Sequence, residues 1–266
     1  MDTLKDFCTH SIDDIISGSD INVARLALVQ EAIDKYRKTV RERPELFENG
    51  LNRTFPIVWF GDLCCNKAKI ITFGSNPSDK EFSKSVTRFP KSAAGKNIST
   101  LCDDYNRYFD NQPYNQWFNP IREFARRYYS PDAEIVHVDA LPFATSKKFV
   151  SLLKRSSFQG ILKWGHNFTR HLIEYIVQHN DVKGISIVGR TSLAQFCEIF
   201  QDSKTVDNRG EISLNGKKYT IYKGSFNICG KDIEVVGTTV YLPNPHVRGL
   251  TNRALIGQIV TAITNL

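Results

Sequence analysis

Residues 69–78 read KIITFGSNPS, an apolar run that breaks into a tight polar turn. Four to five β-prone residues ended by Gly74 and followed by an Asn-Pro step are typical of a strand and its turn. In α/β proteins the carboxyl end of such a strand is where chemistry is placed. The segment therefore predicts a buried strand that delivers the polar side chain of Asn76 to a cleft.

Further apolar segments along the chain repeat this pattern, with helical segments between them. Strands are predicted at residues 134–139, 184–188 and 234–242, and helices at residues 119–129, 158–179, 191–200 and the C-terminal end. Strands that alternate with helices at this spacing form a mostly parallel sheet covered on both faces. The sequence therefore predicts an α/β fold with three αβα layers.

Two parts of the chain fall outside this alternation. Apolar residues recur at helical spacing between residues 20 and 40, so residues 1–55 are predicted to be an N-terminal helical extension to an α/β domain at residues 56–266. Alternation around Asn215-Gly216 indicates a β-hairpin over residues 210–224. Residues 79–117 lack clear periodicity, which favours a functional loop or binding surface.

Composition narrows the class of protein. The 266 residues carry 35 Lys and Arg against 28 Asp and Glu, a net charge of +7, so an acidic partner such as nucleic acid is plausible. The chain has no apolar segment long enough for a membrane span and no signal-peptide pattern. The six cysteines lack the spacing of a zinc or iron–sulfur site, which favours reduced thiols in the cytoplasm. The cysteines are Cys8, Cys64, Cys65, Cys102, Cys197 and Cys229.

Two motifs at strand ends form a pair, GSNPS at residues 74–78 and LPNP at residues 242–245. Together they resemble the uracil-DNA glycosylase superfamily, and most closely its mismatch-specific uracil/thymine branch, whose motifs read G-I-N-P-G and L-P-N-P-S-G-L. The turn at residues 188–190 and the aromatic segment at residues 115–118 also resemble that branch. The resemblance covers residues 70–266.

The resemblance implies that the first motif positions the water that breaks an N-glycosidic bond through an oxocarbenium-like state. Asn76 would orient this water as a hydrogen-bond acceptor, because an amide cannot act as a general base near neutral pH. Gly74, Ser75 and Pro77 would form the substrate-binding turn around it. The alternative is that Asn76 only stabilises a turn.

Asp139, at the end of the second strand, falls where the superfamily often has an Asn that reads the pyrimidine edge. An ionised Asp can only accept hydrogen bonds, which suits the N4 amino group of cytosine and disfavours uracil. Asp139 could also assist the water, or it could cap the following turn.

Ser78 occupies the position at which strict uracil enzymes carry a Tyr that blocks pyrimidine C5. Its small side chain predicts tolerance of thymine or of a 5-substituted cytosine. Phe89 follows Asn76 at a spacing similar to that of the superfamily's stacking aromatic residue, and its ring would add about 1–3 kcal/mol by stacking on a flipped base. Phe82 competes with Phe89 for this role, and either ring could instead belong to the core.

The second motif would close over the base. The resemblance places Asn244 facing the base, and His246 is a candidate to stabilise the departing base as an anion. The candidates to occupy the space left by the flipped nucleotide are His246, Val247, Arg248 and Leu250. Here His-Val-Arg replaces the family's short Ser-Gly step.

Three arginines are candidates to contact DNA: Arg248, Arg253, and Arg190 at the turn before a helix. The amides at the start of the helix after Arg190 suit an anion, and Thr191 or Ser192 can cap it.

The sequence thus predicts a monofunctional DNA glycosylase that acts on double-stranded DNA without metal or cofactor and leaves an abasic site. A 5-modified cytosine, as in bacteriophage DNA, is the substrate favoured by Asp139 and Ser78, and a defence role is conceivable beside repair. The alternatives are a uracil/thymine mismatch repair enzyme and a catalytically silent DNA-binding module on the same fold.

Overall fold

The computed structural model describes residues 21–82, 97–111, 113–146, 149–243 and 251–266. The strands are β1 (Lys69–Gly74), β2 (Glu134–Asp139), β3 (Val182–Val188), β4 (Lys204–Leu214), β5 (Lys217–Ile228) and β6 (Lys231–Thr238). The helices are α1 (Ile21–Glu42), α2 (Glu45–Glu48), α3 (Ile98–Asn106), α4 (Asn115–Tyr128), α5 (Phe149–Leu153), α6 (Gln159–His179), α7 (Arg190–Ile199) and α8 (Asn252–Thr264). Short 3-10 turns lie at Asp79–Glu81 and Ser156–Phe158.

The six strands form one sheet in the order β2-β1-β3-β6-β5-β4. Strands β2, β1, β3 and β6 pair in parallel, and every residue of β1 is buried. Burial on both faces is typical of parallel strands covered by helices, which explains the unbroken apolar run of β1. The carboxyl ends of β1 and β2 therefore meet at one edge of the sheet.

Helices cover both faces of this sheet. On one face, Ile70 packs with Ala125 of α4, and α8 packs through Ile256 against Val236. On the other face the ring of Phe73 lies 5.2 Å from that of Phe196 in α7. Helix α6 packs in the same core cluster, and α1 joins it through Ala24, Leu28, Val29, Ala32 and Ile33. The predicted three-layer αβα architecture is confirmed.

The hairpin extends the sheet. Asn215 and Gly216 connect β4 to β5 with φ values of 49° and 75°, the left-handed backbone that a two-residue hairpin turn requires. Strand β5 also pairs antiparallel with β6. The hairpin predicted around Asn215-Gly216 is therefore the antiparallel edge of the mostly parallel sheet.

Several predicted boundaries were wrong. Residues 98–106 form α3 within the stretch predicted to be irregular. Asn97 caps this helix, because its side chain accepts a hydrogen bond from Thr100 N at 2.8 Å. Helix α4 begins at Asn115, about one turn before the predicted start at residue 119.

The last strand is also shorter than predicted. Strand β6 ends at Thr238, where the Thr238 hydroxyl accepts a hydrogen bond from Val240 N at 3.1 Å and turns the chain.

Two further properties concern the described residues only. None of their helices is long and apolar enough to cross a membrane. Their five cysteines are free thiols.

Candidate functional site

A cavity of about 400 Å3 opens at the carboxyl ends of β1 and β2. This volume is in the range of ligand-binding pockets. Its polar lining comprises Asn76, Ser78, Asp79, Glu81, His137, Asp139, Thr145 and Ser146, and its apolar lining Phe60, Pro77, Tyr114, Trp117, Phe118, Phe149 and Tyr241. Asn76 and Ser78 of the GSNPS turn and Asp139, selected from a distant segment of the sequence, therefore lie around one space.

The amide of Asn76 is held in one orientation. Its Nδ2 donates to Pro77 O at 2.7 Å and to Thr145 Oγ1 at 2.9 Å. A carbonyl oxygen can only accept, so the contact with Pro77 identifies the nitrogen end of the amide. Among the described residues no donor reaches Asn76 Oδ1, which is thus available to accept a hydrogen bond from a water or ligand.

Asp139 belongs to a buried hydrogen-bonded row with His137 and Thr72. His137 Nε2 lies 3.3 Å from Asp139 Oδ1, and Thr72 Oγ1 lies 2.9 Å from His137 Nδ1. The carboxylate can only accept, so Nε2 carries the hydrogen and Thr72 donates to Nδ1. The other carboxylate oxygen, Oδ2, accepts no hydrogen bond from the part of the chain that the structure describes.

The register of β1 and β2 explains why these groups meet. Thr72 pairs with His137 and Gly74 pairs with Asp139 across the two strands. Side chains two residues apart on a strand share a face, so His137 and Asp139 point the same way. A Cβ at position 74 would collide with Asp139 Oδ1 and lie 2.8 Å from His137 Nε2. Glycine at position 74 is therefore a steric requirement of the site.

Hydrogen bonds hold the two loops together beyond the strand ends. Ala140 N donates to Gly74 O at 3.0 Å and Leu141 N donates to Ser75 O at 3.2 Å. The Ser75 hydroxyl lies 3.0 Å from that of Ser192 in the first turn of α7. The N-cap of α7 is Gly189 without a side-chain hydrogen bond, so the prediction that Thr191 or Ser192 caps this helix was wrong.

Aromatic rings form one wall of the cavity. The rings of Phe60 and Phe118 lie 5.2 Å apart, and they lie 5.4 Å and 5.1 Å from the His137 ring. Phe60 also exchanges both backbone hydrogen bonds with His137, at 3.0 Å and 2.8 Å. Trp117 and the exposed Tyr241 contact each other with their ring centroids 5.4 Å apart. A flat ring system would find stacking partners here.

The charged lining of the cavity is acidic. Besides Asp139 it contains Glu81, which is 2 % exposed and accepts a hydrogen bond from the Tyr108 hydroxyl at 2.8 Å. The described lining contains no Lys or Arg. Such a cavity suits a neutral ligand that carries hydrogen-bond donors. No group of three or more His, Cys, Asp or Glu side chains in the described ranges could hold a metal ion.

The other predicted residues are distributed as follows. Ser78 lines the cavity and bridges to Thr145, whereas Phe82 is buried in the core and does not line it. Arg190 lies in a groove between α6 and α7, and Arg253 lies at the start of α8. Phe89, Asn244, His246, Val247, Arg248 and Leu250 lie outside the described residues.

Four important residues were missed from the sequence. His137 could have been found, because it lies two residues before Asp139 on the same strand face. Thr145, Phe60 and Glu81 come from connecting segments whose path depends on tertiary packing, so no local pattern marked them.

Comparison of the chain with models of known protein families gave no match, and comparisons with curated proteins and with solved structures gave none either.

Proposed function

We propose that this protein is a DNA glycosylase that flips a pyrimidine nucleotide out of duplex DNA and hydrolyses its N-glycosidic bond. The observation that carries the proposal is the convergence of Asn76 and Asp139 on one cavity, each with an oxygen that accepts no hydrogen bond from the described chain. Flipping is needed because the bond is out of reach inside a base-paired stack.

In this proposal Asn76 orients the attacking water. Its nitrogen is occupied by Pro77 and Thr145, so Oδ1 accepts a hydrogen bond from the water and directs its lone pair at the sugar carbon. The oxocarbenium-like transition state is a strong electrophile, so a well-placed water is sufficient. The water oxygen bonds to the sugar carbon as the base leaves with the electrons of the glycosidic bond. The proton that the water loses passes to the departing base anion, and the DNA keeps an abasic site.

Asp139 reads the base. With Oδ1 occupied by His137, Oδ2 would accept from the N4 amino group of a cytosine. Phe60 and Phe118 would contact the ring, with stacking worth about 1–3 kcal/mol per base. The cavity volume of about 400 Å3 is that of roughly a dozen water molecules in the liquid, at about 30 Å3 each. This volume is larger than a cytosine base requires.

We therefore propose a 5-modified cytosine as the substrate, because the small side chain of Ser78 in the cavity lining would leave room for a group on C5. Bacteriophage genomes carry such bases, so the proposal includes a defence role beside repair, in the cytoplasm. No metal or cofactor takes part in this scheme.

The test is a base-release assay on duplexes that contain uracil, thymine mismatches or 5-substituted cytosines. The wild type should release the substituted cytosine, and Asn76→Ala should lose at least about 100-fold in rate while its DNA affinity is retained. Release of uracil alone would contradict the cytosine assignment, and release of thymine from mismatches would indicate a mismatch repair enzyme.

The main rival is a catalytically silent DNA-binding module on the same fold. It is favoured by the presence of an amide at position 76, since the residue that would position the water cannot take up its proton. A wild type that binds these duplexes but releases no base from any of them would establish this rival.

A further inference from the structure

Four arginines form a cluster on the sheet face that carries α4 and α8. We call it the arginine face: Arg122, Arg126 and Arg127 of α4 with Arg253 of α8. They line a shallow groove of about 610 Å3 together with Asn119, Glu123 and Pro131. The arginine face is separate from the cavity, whose described lining contains none of its residues.

Helix α4 connects the arginine face to the cavity. Trp117 and Phe118 in its first turn line the cavity, and Arg122 and Arg126 follow at helical spacing. From Phe118 to Arg126 the helix rises about 12 Å. That length corresponds to roughly three to four base pairs along a duplex, at about 3.4 Å per base pair.

Within the described residues, the arginine face lacks the carboxylate partners that some other arginines have. Arg170 pairs with Glu174 at 2.9 Å and with Asp202 at 2.8 Å, and Arg209 pairs with Asp207 at 3.1 Å. Across the described ranges, none of the four arginines of the face forms a salt bridge. Arg127 Nη1 donates only to Arg253 O, at 3.1 Å. The described lining of the groove thus contains four arginines and one acid, Glu123.

Two of the guanidinium groups are also incompletely hydrogen-bonded. The Nε atoms of Arg122 and Arg126 are buried and have no hydrogen-bond partner among the residues that the structure describes. Arg122 is held in place with its guanidinium 4.4 Å from the centre of the Phe109 ring. Burial lowers the pKa of Arg122, and the like charge of Arg126 lowers it further, against weaker opposing effects of Glu134 and Asp110. An anion bound between these two side chains would relieve the repulsion between their like charges.

We infer that the arginine face binds the phosphate backbone of duplex DNA a few base pairs from the nucleotide that enters the cavity. The choice of DNA as the polyanion rests on the proposed function. Guanidinium groups suit this partner, because their planar donors match two phosphate oxygens at once. Contacts to phosphates fix the position of a protein on the duplex without reading sequence, which would align the cavity with the strand.

The test measures binding of an unmodified, fluorescently labelled duplex of about 24 base pairs by anisotropy, as a function of salt. Each phosphate contact contributes about 0.9 to the slope of log K against log salt concentration. Arg126→Gln/Arg127→Gln should therefore reduce the slope by about 1.8. Arg253→Gln is a second variant, because the Arg253 side chain is exposed, and it should reduce the slope by about 0.9.

The matched control is Lys154→Gln/Lys163→Gln. It removes the same net charge from exposed positions next to α5 and on α6, which packs on the other face of the sheet. This control should keep the wild-type slope. If all the variants share the wild-type slope, or the control loses as much as the arginine variants, the inference is wrong.

The result is independent of base release. A wild type that binds with an arginine-dependent slope but releases no base overturns the proposed function and leaves the inference standing. If the wild type releases base and the arginine variants bind DNA with the wild-type salt slope, the inference is overturned and the proposed function stands.

Discussion

Gly74 and Asp139 lie directly opposite each other in β1 and β2, and the missing side chain at position 74 provides the space that the Asp139 carboxylate fills. The same space admits the His137 ring, whose Nε2 would be 2.8 Å from a Cβ at position 74. The glycine of the GSNPS motif is thus explained by contacts across the sheet.

Gly74→Ala should therefore displace the His137–Asp139 pair. We expect the free energy of unfolding to fall by about 1–3 kcal/mol, as for other overpacked cores, and base release to fall with it. Urea denaturation measures the first effect and single-turnover kinetics the second.

The control for this variant is Gly160→Ala near the start of α6, where an added Cβ meets nothing within 4 Å. Alanine is the better helix former, so this change should be neutral or stabilise by up to about 1 kcal/mol. Equal losses of stability in both variants would mean that the close approach at position 74 has no special role.

Thr145→Val should impair Asn76 without removing it. The valine has nearly the shape of threonine but takes away the oxygen that accepts from Asn76 Nδ2 at 2.9 Å. Because one hydrogen bond contributes about 1 kcal/mol net, loss of the bond from Asn76 should lower the rate of base release about five- to tenfold. The affinity for DNA should stay the same. Thr145→Ser retains the hydroxyl and should recover most of the rate. If the valine and serine variants react equally fast, the orientation of Asn76 does not depend on Thr145.

The fold could be predicted further from the sequence than the site. Strands such as β1 and β2 carry their signal locally, as apolar runs of strand length ended by turn residues, and β2 was predicted with its observed ends. Helix α3 was missed because it is short and lies among polar residues, so only its Asn97 cap marked it. Asn76 and Asp139 could be selected because they follow strands. Thr145 and Glu81 reach the cavity through contacts between distant segments, and such contacts leave no periodic trace in the sequence.

Glu31→Gln should change how stability depends on pH. Trp164 Nε1 donates to Glu31 Oε1 at 3.1 Å, whereas Oε2 is buried and has no hydrogen-bond partner in the described ranges. Burial raises the pKa of Glu31 above its ordinary 4.5. The folded protein therefore binds a proton at the Glu31 carboxyl group more tightly than the unfolded chain does. Stability from this group is full below pH 4.5 and is lost as the pH rises from there through the raised pKa.

The glutamine side chain of the variant does not titrate, so the variant should become more stable relative to the wild type as the pH rises. Urea denaturation at intervals between about pH 4 and pH 8 measures the difference in unfolding free energy, which should grow and then level off above the folded pKa. Curves that stay parallel over this range would show that Glu31 titrates alike in the folded and unfolded states.

Asp139→Asn should change which base is released. The Asn Oδ1 can still accept from His137 Nε2, and an NH2 group then replaces the Oδ2 that accepts no hydrogen bond within the described residues. The cavity would offer a donor, suited to uracil O4, where it had offered an acceptor for cytosine N4. The preference for a 5-substituted cytosine over the matching uracil should shift by about 1–3 kcal/mol, roughly 5- to 150-fold.

Competition between two duplexes that differ only in this base measures the shift. Asn76→Ala is the control, because loss of the oriented water should slow both substrates equally and leave the ratio unchanged. If Asp139→Asn lowers the rates for both substrates by the same factor, as expected for Asn76→Ala, then Asp139 acts on the water and does not read the base. The identity of the base would then have to be read elsewhere in the cavity, where Glu81 is the other buried carboxylate of the described lining that can accept a hydrogen bond from it.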